Sequence, residues 1–127
     1  MFSPFTNSDT ANIMAAFDRS QAIIKFKPDG TILDANKNFC DAMGYRLEEI
    51  QGKHHRVFVD QDYARSEDYA RFWEDLRAGR FQCAQYKRLA KGGRVVYIEA
   101  TYNPVLDASG KVYMIVKLAT DVTVKVT

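Results

Sequence analysis

The last third of the chain constrains the fold most. Three runs rich in β-branched and aromatic residues, Phe81 to Leu89, Arg94 to Val105 and Lys111 to Val122, are separated only by Lys91-Gly92-Gly93 and Asp107-Ala108-Ser109-Gly110. Links that short, built from turn residues, join antiparallel strands. In the middle run Val96, Ile98, Ala100 and Tyr102 alternate with Val95, Tyr97, Glu99 and Thr101. The first set is the face predicted to meet a core, because strand side chains point to opposite sides with a period of two. A sheet with one apolar face needs a cover, which the rest of the chain must supply.

Nearer the start, Ala22, Ile24 and Phe26 fall on one side of an alternating run, and Ile23, Lys25 and Lys27 on the other. Pro28-Asp29-Gly30 then makes a turn in which Pro presets φ and Gly accepts a positive φ, and Thr31 to Ala35 returns as a second strand. The period becomes helical from Asn36 to Tyr45, where Phe39, Ala42 and Met43 recur and Gly44 closes the helix; Arg46 to Ile50 adds another turn, ended by Gly52. Ser66 to Gly79 is the longest helical stretch, with Tyr69, Phe72, Trp73 and Leu76 on one stripe. Two strands, a block of helices and three strands predict an α+β domain whose helices cover one face of an antiparallel sheet. A short amphipathic helix at residues 8–19, capped by Ser8 or Asp9 and carrying Ile13, Met14 and Phe17 on one face, precedes it, and residues 1–7 are expected to be loosely ordered.

With 127 residues, 46% of them hydrophobic, the chain suits one domain with one core. Eighteen basic against sixteen acidic residues leave a formal charge of +2, which gives no electrostatic basis for nucleic acid or anionic membrane as a partner. Cys40 and Cys83 fit no metal-ligand or disulfide spacing and are expected to be core thiols. No apolar run is long enough to cross a membrane and the N-terminus lacks a secretion-signal pattern, so a cytoplasmic location is expected. Lys87, Arg88, Lys91 and Arg94 flank a turn and are expected to be solvated, while Glu48-Glu49 and Glu67-Asp68 suit helix N-termini without any catalytic role. No nucleophile with a base and an orienting partner can be assembled from these spacings, so an enzyme is not expected.

The stretches DGTILDANKNFCDAMGYRLEEIQGK, FWEDLRAGRF and YKRLAKGGRVVYIEATYNPVLDASGKVYMIVKLATDVT, in that order, resemble a PAS sensor domain over residues 20–123. They look most like the cytosolic PAS modules of bacterial methyl-accepting chemotaxis proteins, including aerotaxis receptors. The resemblance implies a five-stranded antiparallel sheet in the order 2-1-5-4-3, with short helices cupping a ligand pocket on one face and an N-terminal cap helix. It implies residues 1–19 as tail and cap helix and 124–127 as the start of a linker to an output module absent from this chain. It also implies a homodimer through the N-terminal helix and sheet, and a signal relayed through Asp121 and Thr123.

Both histidines sit in the stretch GKHHRVF. In flavin-binding aerotaxis receptors a similar stretch carries a His at the place of His55, the long helix a Trp at the place of Trp73, and the first helix begins with Asn, as at Asn36. The resemblance therefore implies His55, His54, Trp73 and Asn36 as cofactor-binding residues. Phe58-Val59-Asp60-Gln61 departs from that family's Arg-His-Pro-Asp run, and Gln82 stands near where it has Trp. A haem would draw its axial ligand from His54 or His55, the only imidazoles in the chain. Against haem or FAD stands an empty or solidly packed interior, in which at most one of two adjacent histidines points inward while the other bonds a carbonyl or faces water. The expected function is signal sensing by a chemotaxis transducer. The alternatives are a ligand-free dimerisation module, or the sensor of a histidine kinase or cyclic-dinucleotide enzyme.

Overall fold

The computed structural model describes residues 6–123. Five strands, β1 (Ala22–Phe26), β2 (Ile32–Ala35), β3 (Gln82–Leu89), β4 (Val95–Leu106) and β5 (Val112–Asp121), form one antiparallel sheet in the order β2-β1-β5-β4-β3. The first and last strands meet at its centre, where Ile24 pairs with Lys117 and Phe26 with Ile115. Helices α2 (Lys37–Met43), α3 (Leu47–Ile50), α4 (Gln61–Ala64) and α5 (Glu67–Arg77), with a 3-10 turn at His55–Phe58, cover one face.

The alternation predicted for β4 holds: Val96, Ile98, Ala100 and Tyr102 are all buried, while Val95, Tyr97 and Glu99 are exposed. They meet Ile24 and Phe26 from β1, Phe39 and Met43 from α2, Ile50 from α3, Phe58, and the Tyr69, Phe72, Trp73 and Leu76 stripe of α5. At about 25 cal/mol per Å² of apolar surface removed from water, these large side chains supply most of the driving force for laying the helices on the sheet.

Capping chemistry sets several boundaries. Asn36 Oδ1 accepts from Phe39 N at 3.0 Å to start α2, Gly44 in the left-handed region (φ 75°) ends it, and Ser66 Oγ accepts from Tyr69 N at 3.1 Å to start α5. Helix α1 (Asn7–Ser20) begins earlier than expected. Its cap is Thr6, in a reciprocal box with Asp9, because Asp9 serves better as the third helical residue returning a bond to the cap than as the cap itself. Residues 1–5, expected to be loose, and the expected linker at 124–127 lie outside the described residues.

α1 buries no residue. It runs along the sheet face opposite the other helices, where Met14 and Ala15 border Ile23 and Lys25, and Phe17 borders Gln85, Glu99 and Leu118. The cysteine expectation fails for both residues: Cys83 is exposed and Cys40 only half-buried. Cys83 pairs with Thr101 on the outer side of β3, a face that the strand's own alternation directs away from the core.

Candidate functional site

The paired histidines are placed by a strand-like extension beside β2. Ile32 N donates to Lys53 O at 2.7 Å, Gly52 N to Ile32 O at 2.9 Å and His55 N to Gly30 O at 2.9 Å, with Thr31 bridged to His54. Successive residues of such a segment face opposite ways, which separates the two imidazoles. His54 Nε2 donates to the Asp29 carbonyl at 2.8 Å while its Nδ1 accepts from Arg56 N at 3.0 Å, and this fixes the tautomer. Burial holds His54 below the usual imidazole range.

His55 turns inward and is wholly buried. Its Nδ1 lies 2.7 Å from the Tyr69 hydroxyl on α5 and its Nε2 lies 2.9 Å from the Tyr102 hydroxyl on β4, which also accepts from Arg88 Nη2 on β3 at 3.1 Å. The proton order Arg88 to Tyr102 to His55 to Tyr69 satisfies all three bonds and leaves His55 neutral. Burial first, and then the charges of Arg88 and Lys117, hold His55 well below the usual imidazole range. Burial also raises both phenols above the ordinary tyrosine range. Trp73 Nε1 is buried beside the Tyr69 hydroxyl without alignment to donate to it.

Two cations complete the cluster. Arg88 is 3% exposed; its guanidinium stacks on Tyr86, with Cζ 4.6 Å from the ring centre, and its Nε has no hydrogen-bond partner. Lys117, on β5, is 1% exposed, and its Nζ lies 4.9 Å from the centre of the Tyr102 ring and 5.7 Å from that of Phe39. Among the described residues no ion pair includes either side chain. A desolvated cation–π contact returns about 2 kcal/mol, against several kcal/mol for burying an ion. Burial therefore dominates, and with the Arg88 charge it drives the Lys117 amine well below the usual ammonium range.

Of the residues expected at the site, His55 and Trp73 share this cluster with ring centres 5.4 Å apart, and His54 borders Trp73 from outside at 5.8 Å. Asn36 stands apart. Besides capping α2, its Oδ1 accepts from Ile23 N at 3.0 Å and its Nδ2 donates to Gln21 O at 2.9 Å, so it ties β1 and the end of α1 together. Asp121 and Thr123 form a clasp at the end of β5: Asp121 Oδ1 accepts from Thr123 N at 2.9 Å, and Thr123 Oγ1 accepts from Tyr97 N at 2.8 Å. The expectation that Arg88 is solvated is corrected, because in β3 its position shares the inward side with Tyr86. Tyr69, Tyr102, Arg88 and Lys117 were not anticipated as site residues. The signal for Lys117 was present, since it interrupts the inward series Ile115, Lys117, Ala119.

As packed, these residues do not fit a haem or a flavin. Both ring nitrogens of each histidine are engaged, leaving none for iron. His55 and Phe72 each pack against both Trp73 and Tyr102, with ring centres 4.8 to 5.7 Å apart, which leaves no slot for a flavin ring between them. Among the described residues no group of three His, Cys, Asp or Glu side chains is placed to hold a metal ion, and no helix is long and apolar enough to cross a membrane.

A central strand pair built from the two ends of the sequence, with helices laid over one face around a buried polar cluster, defines a single-sheet α+β module. The model of the family described as PAS fold matches residues 17–127, and the chain belongs to that family. It is 52% identical over 109 residues, 86% of its length, to the biofilm dispersion protein BdlA of Pseudomonas aeruginosa, and spans 26% of that protein. Among solved structures it resembles the PAS domain of a Colwellia psychrerythraea protein (TM-score 0.76, 20% identity, 90% of this chain and 97% of that one). It also resembles a domain of a sensory box sensor histidine kinase/response regulator from Geobacter sulfurreducens (TM-score 0.74, 20% identity, 94% and 100%). Both of these likenesses carry the fold alone.

Proposed function

We propose that this chain is the cytoplasmic signal-sensing PAS domain of a bacterial chemotaxis-type transducer, in which residues 20–123 hold the sensor and residues 124–127 begin the connection to an output module. The observation that carries this reading is the buried run Arg88–Tyr102–His55–Tyr69. A core selected for stability alone gains little from such groups, since burying them costs desolvation that apolar side chains avoid. Each member comes from a different element: β3, β4, the 3-10 turn and α5. A small molecule that breaks or completes one of these bonds therefore acts on the sheet and its helical cover together. The similarity to a biofilm dispersion protein supports membership in a signalling chain.

Lys117 lies on the strand that ends in the Asp121–Thr123 clasp, and β5 pairs with β1, which follows directly from α1. A change in the interior thus reaches both ends of the domain through one strand pair. Sensing further requires that the ligand bind two conformations with different affinity, because a ligand that binds both equally shifts nothing. Met14 and Phe17 on α1 are 42% and 40% exposed, which supports a homodimer through this helix and the outer sheet face, and the same observation favours a pure dimerisation module as the second reading.

The test is native mass spectrometry of the chain freshly purified from cells, with absorbance recorded from about 300 to 700 nm. The expected result is a retained or readily acquired small molecule without a Soret band. A chain that neither carries nor takes up any small molecule, yet dimerises through α1, would establish the second reading.

A further inference from the structure

We infer that the interior between β3, β4 and β5 is a binding site for a small organic carboxylate, whose anionic head is held by Arg88 and Lys117 beside the Tyr102 hydroxyl. The inference rests on the sensing reading and names its ligand class. Two long cationic side chains point into the covered side of the sheet, both nearly solvent-free, both against the Tyr102 ring, and neither paired with a carboxylate among the described residues. Arg88 spends Nη1 on the Lys87 carbonyl and Nη2 on Tyr102, and its buried Nε lacks a partner. A planar guanidinium with an unsatisfied donor and a nearby ammonium form a set that recognises a carboxylate.

The rest of the lining selects for an organic body. Arg88 lies over the Tyr86 ring and Lys117 over the Phe39 and Tyr102 rings, so a carboxylate that draws the cations toward itself uncovers ring faces that an apolar skeleton can fill. An inorganic phosphate would bring up to two charges and no surface for those rings to cover. Ligand binding also removes the reason for Lys117 to remain neutral, so the bound state gains a charge pair on β5, the strand that leads to the C-terminal clasp.

The experiment is a thermal melt of the whole chain with benzoate, succinate, inorganic phosphate or neutral benzyl alcohol at millimolar concentration, repeated with Lys117→Met and Arg88→Met. The expected result is that benzoate or succinate raises the midpoint by about 4 °C or more at roughly tenfold excess over Kd. Benzyl alcohol and phosphate should do far less, and either substitution should abolish the shift. Lys117→Met should also raise the melting point of the probe-free chain, since a buried amine gives way to an apolar side chain of similar length; a merely structural lysine would move it the other way.

An equal effect of benzyl alcohol, a response to phosphate alone, no response to either carboxylate, or a Lys117→Met chain that melts lower without probe would each overturn the inference. The sensing reading fails separately. Carboxylate binding with unchanged hydrogen exchange in α1 and β5 would keep the site and remove the relay, whereas a retained neutral compound that alters that exchange would keep the sensor and overturn the carboxylate.

Discussion

His55 and Tyr102, separated by 47 positions in the chain, meet with Nε2 2.9 Å from the tyrosine oxygen in the solvent-free interior. This contact joins the helical cover to the middle of the β3–β4–β5 meander, and the same oxygen anchors Arg88. Tyr102→Phe leaves His55 Nε2 and an Arg88 donor without partners while changing the shape little. The expected loss is about 1–3 kcal/mol, at the upper end because one partner is charged. Urea unfolding checks it, and an unchanged midpoint would contradict the network.

The same groups fix the pH response. His55 and Lys117 are both held well below their ordinary ranges, so the unfolded chain binds more protons than the folded one until pH exceeds the unfolded pKa of each. Stability from His55 is complete above about pH 6.5 and is lost as pH falls below it, while stability tied to Lys117 keeps growing toward about pH 10. The buried phenols work in the opposite sense. Tyr86 is pushed up to about 12 and Tyr69 is raised further, so their contribution is lost as pH rises above the unfolded tyrosine value. The urea midpoint is expected to rise from about pH 5 to 9 and to fall above about 10. In Lys117→Met the rise between about pH 7 and 9 should flatten. A midpoint that falls over that interval in the unsubstituted chain would contradict the burial of both groups.

Gly30 and Gly52 make a controlled pair. Both have positive φ, 96° and 85°, but a Cβ on Gly30 would lie 2.5 Å from His54 Nε2, whereas one on Gly52 meets nothing within 4 Å. Gly52→Ala carries only the left-handed backbone cost of about 1–2 kcal/mol. Gly30→Ala adds the displacement of His54 from the Asp29 carbonyl, for about 1 kcal/mol more. Equal destabilisation in paired thermal melts would contradict the fixed position of His54.

Asn36 separates capping from tethering. Asn36→Asp keeps an oxygen for Phe39 N and Ile23 N but loses the donations to Gln21 and Asp18 that hold the end of α1. It should cost the domain less than about 1 kcal/mol while speeding amide exchange in α1. Asn36→Ala removes both functions and should cost about 2 kcal/mol. Equal exchange in α1 for both variants and the unsubstituted chain would show that α1 is held by other contacts.

Much of the sheet was legible because alternation in β1 and β4 and the turn residues at 28–30, 91–93 and 107–110 are local signals. The sheet order came with the family resemblance, since local pattern does not say that β1 inserts beside β5. The 3-10 turn at His55–Phe58 and helix α4 went unpredicted, being too short for any periodicity to register. At the site, the family resemblance pointed to His55 and Trp73, whose rings lie side by side, whereas Tyr69 and Tyr102 look like ordinary core aromatics until a polar partner appears opposite their hydroxyls. Arg88 was misjudged because its basic neighbours resemble a solvated turn, and its inward direction depends on the β3 register. Lys117 was the one overlooked residue that broke a visible pattern.

The proposed sensing couples the interior network to α1 and to the end of β5. Its most direct test is hydrogen–deuterium exchange of the whole chain as purified from cells, after removal of any small molecule by unfolding and refolding, and after restoring that molecule or adding benzoate. The prediction is slower exchange in β5, around Thr123 and in α1 when the interior is occupied, reversed on removal and lost in Tyr102→Phe. The same exchange pattern in every state, with occupancy verified by native mass spectrometry, would contradict it.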